Sequence, residues 1–128
     1  GGYVSSKTRE AVANRTAALS ALEGARRSAT LSAQQSFLGV VNGLAQIRAL
    51  EAALVSSTSA LESNKLGYEV GVRINIDVLN AENQVYVTKR DLAKARFDTL
   101  LAQLKLKASV GTLSETDLEQ INPLFELP

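Results

Sequence analysis

A seven-residue hydrophobic repeat runs without a proline from residue 4 to residue 66, and this repeat restricts the first half of the chain to one long helix. At about 1.5 Å per residue, roughly 63 helical residues extend over about 95 Å. A row that keeps a strict period of seven over this length predicts a supercoiled helix. The row is interrupted only by Arg26 and comprises Val12, Leu19, Ala33, Val40, Ile47, Leu54 and Leu61.

A second row, made of small residues, runs beside the first. It comprises Ala11, Ala18, Ala25, Ser32, Gly39, Ala53, Ala60 and Gly67. Small side chains let a neighbouring helix approach closely, and this benefit offsets the cost of about 0.5–1 kcal/mol that each helical glycine carries relative to alanine. The two rows therefore predict neighbours on two sides of the helix. Sequence drift without a packing role is the alternative for the small row.

A second helix of about 35 residues is predicted by the same repeat over residues 76–110. Its rows comprise Val78, Val85, Leu92 and Leu106; then Ala81, Thr88, Ala95 and Ala102; then Leu79, Tyr86, Ala93 and Leu100. Two packing flanks again appear, one large and one small. The two helices must fold back on each other, so the predicted fold class is all-α: a long antiparallel helical hairpin with a short C-terminal helix.

The sequence also predicts where these helices end. Gly67 after Leu66 suits a helix stop with glycine in the left-handed conformation, Asn75 suits the cap of the next helix, and Ile74 is positioned to pack on Leu79. The tip of the hairpin is therefore predicted at residues 67-75, between a long helix at 4-66 and a second helix at 76-110.

The C-terminal segment, residues 111-128, is predicted to form a short third helix and a tail. Gly111 is expected to close the second helix, and Ser114 with Asp117 forms a capping-box pattern for the next. Asn122-Pro123 is expected to end that short helix, and the tail from Phe125 is predicted to be unstructured.

The two arms of the predicted hairpin differ in length. The second arm covers about 53 Å of a first arm of about 95 Å, so the apolar stripe from Val12 to Val40 has no predicted partner in the chain. Such a stripe is on the order of 400 Å², close to the largest apolar patch that a soluble monomer usually exposes. Assembly with other helices is therefore predicted.

Composition excludes several classes of function. The chain contains no His, Cys, Met or Trp, which excludes imidazole catalysis, thiol chemistry, disulfides and soft-ligand metal sites. Its 14 basic and 13 acidic residues are interspersed, so no nucleic-acid stripe or polybasic anchor is indicated. Asp91 and Asp98 lie among lysines and arginines without a partner base. We expect no enzyme activity, cofactor or metal site, and the short apolar runs predict no membrane-spanning helix.

The only break between the two helical patterns is the segment from Gly67 to Arg73. Its polar residues have simple structural interpretations: Tyr68 packs on the turn, Arg73 binds carbonyl groups at the end of the first helix, and Asp77 favours the positive end of the second helix dipole. From the residues alone these interpretations are preferred over a specific function.

A longer motif around this break carries a family resemblance. The pattern Gly67-Tyr68-x-Val70-Gly71-x-Arg73-x-x-x-Asp77-Val78-Leu79, followed by Gly111-Thr112-Leu113-Ser114, resembles the C-terminal repeat of the TolC-type outer-membrane efflux and secretion proteins. The resemblance covers nearly the whole chain. It implies that residues 1-3 are the end of a barrel strand and that the helices form part of a periplasmic tunnel below a β-barrel. It further implies a homotrimer in the outer membrane of a Gram-negative bacterium, with residues 111-128 in an equatorial belt.

The resemblance also assigns roles to the tip. It implies that Tyr68 and Arg73 form a lock that ties this hairpin to its neighbour and keeps the tunnel entrance closed, and that Asp77 contributes to an acidic ring at the mouth. Val70, Gly71 and Val72 would contact a periplasmic adaptor. A second ring position, often aspartate in the family, is Asn80 here, which weakens the expected cation trap.

The function implied by the resemblance is a passive exit duct for drugs or secreted polypeptides, working with an inner-membrane transporter and a periplasmic adaptor. A stand-alone coiled-coil structural or adaptor protein is the alternative, since it would share the long helices. A membrane-surface amphipathic protein is a third possibility, but its polar face should be strongly basic, and this chain has a net charge of +1.

Overall fold

A computed structural model describes the backbone of residues 1–125 and the side chains of residues 1–115. It contains two helices, α1 (Gly2–Glu69) and α2 (Asn75–Phe125), and no strand occurs within the described residues. The predicted all-α helical hairpin is confirmed. The N-terminal residues differ from the expected strand end, because Gly2 already belongs to α1. A strand requires a partner strand for its backbone hydrogen bonds, and the described residues supply none.

The chain divides into two units, residues 37–103 and residues 1–36 with the chain from Leu104 onward. In the first of these units, α1 and α2 run antiparallel. Glu51 lies near Arg96, with 3.5 Å between Oε1 and Nη2, whereas a Cβ placed on Gly39 would lie 3.4 Å from Cβ of Ala102. The residue number of the contact on α2 thus increases as the residue number on α1 decreases, as in an antiparallel pair.

The core of this unit follows the predicted heptad rows. On α2 the buried residues are Val85, Thr88, Leu92, Ala95 and Thr99. On α1, Ser57 is buried and the apolar row of Val40, Ile47, Leu54 and Leu61 is half-buried. The third predicted row of α2 remains exposed, and it includes Leu79, Tyr86 and Leu100. One flank of each helix thus packs inside the hairpin.

Several of the buried positions carry hydroxyl groups that bond to their own helix. Thr99 Oγ1 donates to the carbonyl of Ala95 at 2.7 Å, and Thr88 Oγ1 donates to the carbonyl of Gln84 at 2.8 Å. Ser57 donates in the same way to Leu54. Such bonds satisfy the hydroxyl at a position where water is excluded. The contact between the helices can therefore use small polar residues without leaving them unsatisfied.

In the other unit, Ala29, Ser36 and Ser109 are buried, and Ser109 Oγ donates to Ser32 Oγ at 3.0 Å. Every residue from 1 to 21 is exposed. The uncovered stripe is therefore shorter than the predicted Val12 to Val40, because contacts with α2 reach much further toward the N-terminus of α1 than expected.

Part of this difference arises within the predicted part of α2, because Ser109 already contacts Ser32. In addition, α2 continues through Gly111, where the sequence predicts its end. Gly111 does not have a positive φ, and Thr112 Oγ1 donates to the carbonyl of Ala108 at 3.0 Å, as in an ordinary helix turn. The helix extends to Phe125, past the predicted stop at Asn122-Pro123. Asp117, the acidic residue of the predicted capping box, lies outside the residues whose side chains are described.

By length and composition, α1 includes one stretch that could cross a membrane, with a mean hydropathy of 1.3 and none of it buried. The sequence argument from short apolar runs predicted no such helix. The two differ because mean hydropathy averages over the single polar residues that interrupt these runs.

Candidate functional site

The end of α1 is built by backbone hydrogen bonds around Gly71. The N–H of Val72 donates to the carbonyl of Gly67 at 2.8 Å, and the N–H of Gly71 donates to the carbonyl of Tyr68 at 3.2 Å. Gly71 has a φ of 81°, in the left-handed region. This combination is a Schellman motif, which satisfies carbonyl groups that a helix end otherwise leaves free.

The prediction that Gly67 is the left-handed glycine was therefore wrong. Gly67 lies inside α1 without a positive φ, and the helix continues for two more residues to Glu69. Both glycines are compatible with a helix end in the sequence, and the hydrogen bonds to Gly67 and Tyr68 decide in favour of Gly71.

The start of α2 also differs from the prediction that Asn75 is the cap. Asn75 is the first helical residue, and the N–H of Ile74 donates to Oδ2 of Asp77 at 3.2 Å. In return, the N–H of Asp77 donates to the carbonyl of Ile74 at 3.1 Å. Asp77 thus takes the role of the acidic residue in a capping box. Ile74 and Leu79 are both more than half exposed, so they do not form a buried apolar contact.

Tyr68 and Arg73 are brought to the same turn, and both are exposed, Tyr68 to 52%. Within the described part of the chain, neither the Tyr68 hydroxyl nor the Arg73 guanidinium has a hydrogen-bond or ion-pair partner. The carbonyl of Gly67 accepts from the backbone N–H of Arg73 at 3.0 Å, so the Arg73 side chain is not required for that carbonyl. The geometry disfavours the simple interpretation in which Arg73 binds the end of α1.

The stem of Arg73 packs beside Gly67. A Cβ atom built on Gly67 would lie 2.5 Å from Cγ and 3.3 Å from Cβ of Arg73. The stem occupies the space that any larger residue at position 67 would need. Sequence reasoning missed this contact, since a glycine six residues before an arginine has no recognised meaning by itself.

The other tip residues form an exposed apolar surface. Val70 is 66% exposed and Val72 is 77% exposed, and they flank Gly71 at the end of the hairpin. Ile74 and Ile76 extend this surface toward α2, and both are more than half exposed. Large apolar side chains grouped in this way mark a contact surface more often than scattered ones do.

Away from the tip, Asp91 and Asp98 are each paired with a neighbouring cation. Asp98 Oδ2 lies 3.0 Å from Lys94 Nζ, and Asp91 Oδ1 lies 3.5 Å from Arg90 Nη2. Both pairs are exposed surface pairs. No group of three or more potential metal ligands occurs among the described side chains. This surface shows no arrangement for acid–base or metal chemistry.

Comparison with known proteins identifies the family. The chain matches the Outer membrane efflux protein family over residues 1–112. It is 38% identical to "Outer membrane protein TolC" of Escherichia coli (strain K12) over all 128 residues, which cover 26% of that protein. It is 32% identical to "Proteases secretion protein PrtF" of Dickeya chrysanthemi over 98% of this chain and 27% of that protein. It is 37% identical to "Alkaline protease secretion protein AprF" of Pseudomonas aeruginosa over 63% of this chain and 17% of that protein.

The chain thus spans about a quarter of the length of the first two of these relatives. The family match covers α1, the tip, and α2 as far as residue 112. The chain belongs to the outer membrane efflux protein family.

Proposed function

We propose that this chain is the periplasmic tunnel segment of a trimeric outer-membrane channel. The channel is a passive duct that exports drugs or secreted polypeptides, together with an inner-membrane transporter and a periplasmic adaptor. Family membership supports this proposal, as do the names of the relatives, which are an outer membrane protein and two protease secretion proteins.

The observation that carries the proposal is the second apolar flank of α2. Leu79, Tyr86 and Leu100 form one heptad row and are each more than half exposed, although the neighbouring rows are packed against α1. A helix in a two-helix hairpin needs only one packing flank, whereas a helix in a closed ring contacts a neighbour on each side. The exposed row is therefore available for the next helix of a tunnel wall.

We assign Tyr68 and Arg73 to a lock between this hairpin and the neighbouring one. Their side chains have no partner in the described part of the chain, and the backbone of the turn is satisfied without them. An exposed guanidinium presents five donors in a planar fork, suited to carboxylate or carbonyl acceptors on a neighbour. A lock of this kind would stabilise the closed entrance.

Asp77 is assigned to the charge of the pore entrance. Its carboxylate oxygen Oδ2 accepts the N–H of Ile74, which holds this acidic group at the start of α2, beside the tip. Asn80, the exposed residue one turn further on, adds no charge. We therefore propose a cation-attracting mouth that is weaker than one with two aspartate rings.

The adaptor is proposed to bind at Val70, Gly71 and Val72. Both valines are exposed, and the left-handed Gly71 presents backbone between them without a side chain. An exposed apolar surface at the end of a hairpin suits contact with the apolar end of another helical hairpin.

A stand-alone coiled-coil protein is the second candidate, and it shares the two helices. It gives no reason for the exposed tip residues, and the identity of 38% to TolC over the whole chain favours the channel.

The lock is tested in the full-length channel with Tyr68→Phe combined with Arg73→Ser. These changes remove the hydroxyl and the guanidinium but leave both heptad rows intact. If each contributes about 1–3 kcal/mol, the open population rises by tens- to a thousand-fold or more. Single-channel recordings in planar bilayers measure this change, and thermal unfolding checks that the fold is retained.

Arg96→Ser is the matched control, because Arg96 is an exposed arginine of the same hairpin whose partner, Glu51, lies in the same chain. It should leave the open population unchanged. An unchanged open population for the Tyr68→Phe, Arg73→Ser variant with normal thermal stability would refute the lock.

A further inference from the structure

We infer that Gly67 is a positioning residue for the lock: its lack of a side chain fixes the direction in which Arg73 extends from the tip. This inference rests on the proposed function, since it concerns the side chain assigned to hold the closed entrance. It depends on a contact inside this chain that neither the helix pattern nor the turn type requires.

The backbone gives no reason for glycine at position 67. Gly67 lies in the last turns of α1 and has no positive φ, whereas Gly71 supplies the left-handed residue of the turn. Any residue except proline could adopt this helical conformation, and most would favour it more than glycine does. The explanation must therefore lie in what surrounds Gly67.

The surroundings of Gly67 are the stem of Arg73. A Cβ atom at position 67 would lie 2.5 Å from Cγ, 3.3 Å from Cβ and 3.8 Å from Cδ of Arg73. Carbon atoms in contact are separated by about 3.5–4.0 Å, so the first two distances are too short. Cγ is the first atom beyond Cβ, and a small adjustment of the distant guanidinium cannot relieve this overlap.

The backbone of Arg73 cannot readily move away either. Its N–H donates to the carbonyl of Gly67 at 3.0 Å, and the preceding N–H, that of Val72, donates to the same carbonyl at 2.8 Å. With both ends of the contact tied together, a side chain at position 67 would force Arg73 to change its χ1 rotamer. The guanidinium would then extend in another direction, and hydrogen bonds to a neighbouring hairpin depend strongly on direction.

Gly24 provides a matched comparison on the same helix. A Cβ atom at Gly24 would meet nothing within 4 Å. Gly24→Ala is therefore the same glycine-to-alanine exchange without a steric clash. Any effect of adding one methyl group to a helical glycine of α1 is common to both variants. The displacement of Arg73 is specific to Gly67→Ala.

The test uses the full-length channel in planar bilayers, with Gly67→Ala, Arg73→Ser, both together, and Gly24→Ala. Arg73→Ser is expected to raise the ratio of open to closed channels by about ten- to a hundredfold. Gly67→Ala is expected to raise it by about two- to tenfold, the range for an unfavourable rotamer. In the Arg73→Ser background, Gly67→Ala should add nothing, and Gly24→Ala should leave the ratio unchanged.

The outcomes separate the two proposals. If Arg73→Ser does not open the channel, the lock itself is wrong, and the role of Gly67 falls with it. If Arg73→Ser opens the channel but Gly67→Ala has no effect, or has the same effect with and without Arg73, the lock stands and the positioning role is refuted. In the 128-residue chain, a nuclear Overhauser effect between Hα of Gly67 and Hγ of Arg73 is expected, and its absence would overturn the contact directly.

Discussion

Replacing Gly43 with alanine tests the close contact of the two helices in residues 37–103. A Cβ atom on Gly43 would lie 3.1 Å from Cβ and 3.2 Å from Cγ2 of Thr99, and it would also overlap Oγ1 of Thr99. Thr99 is 5% exposed, and its Oγ1 donates to the carbonyl of Ala95 at 2.7 Å. Rotation of Thr99 would break this bond, so the side chain is held in the overlapping position.

The magnitude follows from two opposing terms. Alanine gains about 0.5–1 kcal/mol over glycine inside a helix. Adding a methyl group to a packed site costs about 1–3 kcal/mol through shifted backbone and strained rotamers. Gly43→Ala should therefore lower the free energy of unfolding by about 1 kcal/mol, whereas Gly24→Ala, with open space around it, should raise it by about 0.5–1 kcal/mol.

Urea unfolding followed by far-ultraviolet circular dichroism measures both variants in the 128-residue chain. Protein concentration must be equal in all samples, because self-association adds to the apparent stability. Adding Thr99→Ala should recover part of the loss in Gly43→Ala, with a coupling of about 1 kcal/mol in the double-mutant cycle. Equal stabilisation by Gly43→Ala and Gly24→Ala would refute the close contact.

Two further predictions concern the tip. Gly71→Ala should lower the free energy of unfolding by about 1–2 kcal/mol, because alanine is strained at a φ of 81°, and Gly71→Asn should lower it less; urea unfolding of both variants checks this order. Asp77→Ala removes both the acceptor for Ile74 and the charge, so it should destabilise the hairpin by about 0.5–2 kcal/mol and reduce cation preference in the full-length channel. Asp77→Asn keeps an acceptor and should reduce cation preference with a smaller loss of stability, and equal stability of the two variants would contradict the cap.

The sequence predicts the packing of this hairpin better than its helix ends. Heptad spacing identifies Val85, Leu92 and Ala95 as core residues, and all three are buried, because the period of a long helix fixes which side chains share a face. Heptad spacing does not show whether a glycine is present for its positive φ or for the space that its missing side chain leaves. Gly71 supplies a positive φ and Gly67 supplies space, yet both appear in the sequence as glycines near a helix end. The difference depends on contacts between residues in the folded turn.

The end of α2 shows the same limit. Gly111 fits the pattern of a helix stop, but the glycine stop that this pattern predicts requires a positive φ, and Gly111 has none. Separately, α2 contacts more of α1 than predicted, because Ser109, which lies inside the predicted helix, already reaches Ser32. The uncovered surface was therefore predicted too long for a reason separate from the helix stop at Gly111.

The tip separates residues that build the turn from residues that are free to bind a neighbour. Gly71 and Asp77 complete the hydrogen bonds of the two helix ends, so changing either should affect stability as well as any channel property. Tyr68 and Arg73 add no hydrogen bond to the turn through their side chains, so changing them should affect gating with little effect on stability. We place Gly67 in the second group, because its φ does not require glycine and the three nearest atoms that a Cβ would meet all belong to the Arg73 side chain. Measuring both the free energy of unfolding and the channel opening for variants at these five positions therefore distinguishes residues that stabilise the turn from residues that hold the entrance closed.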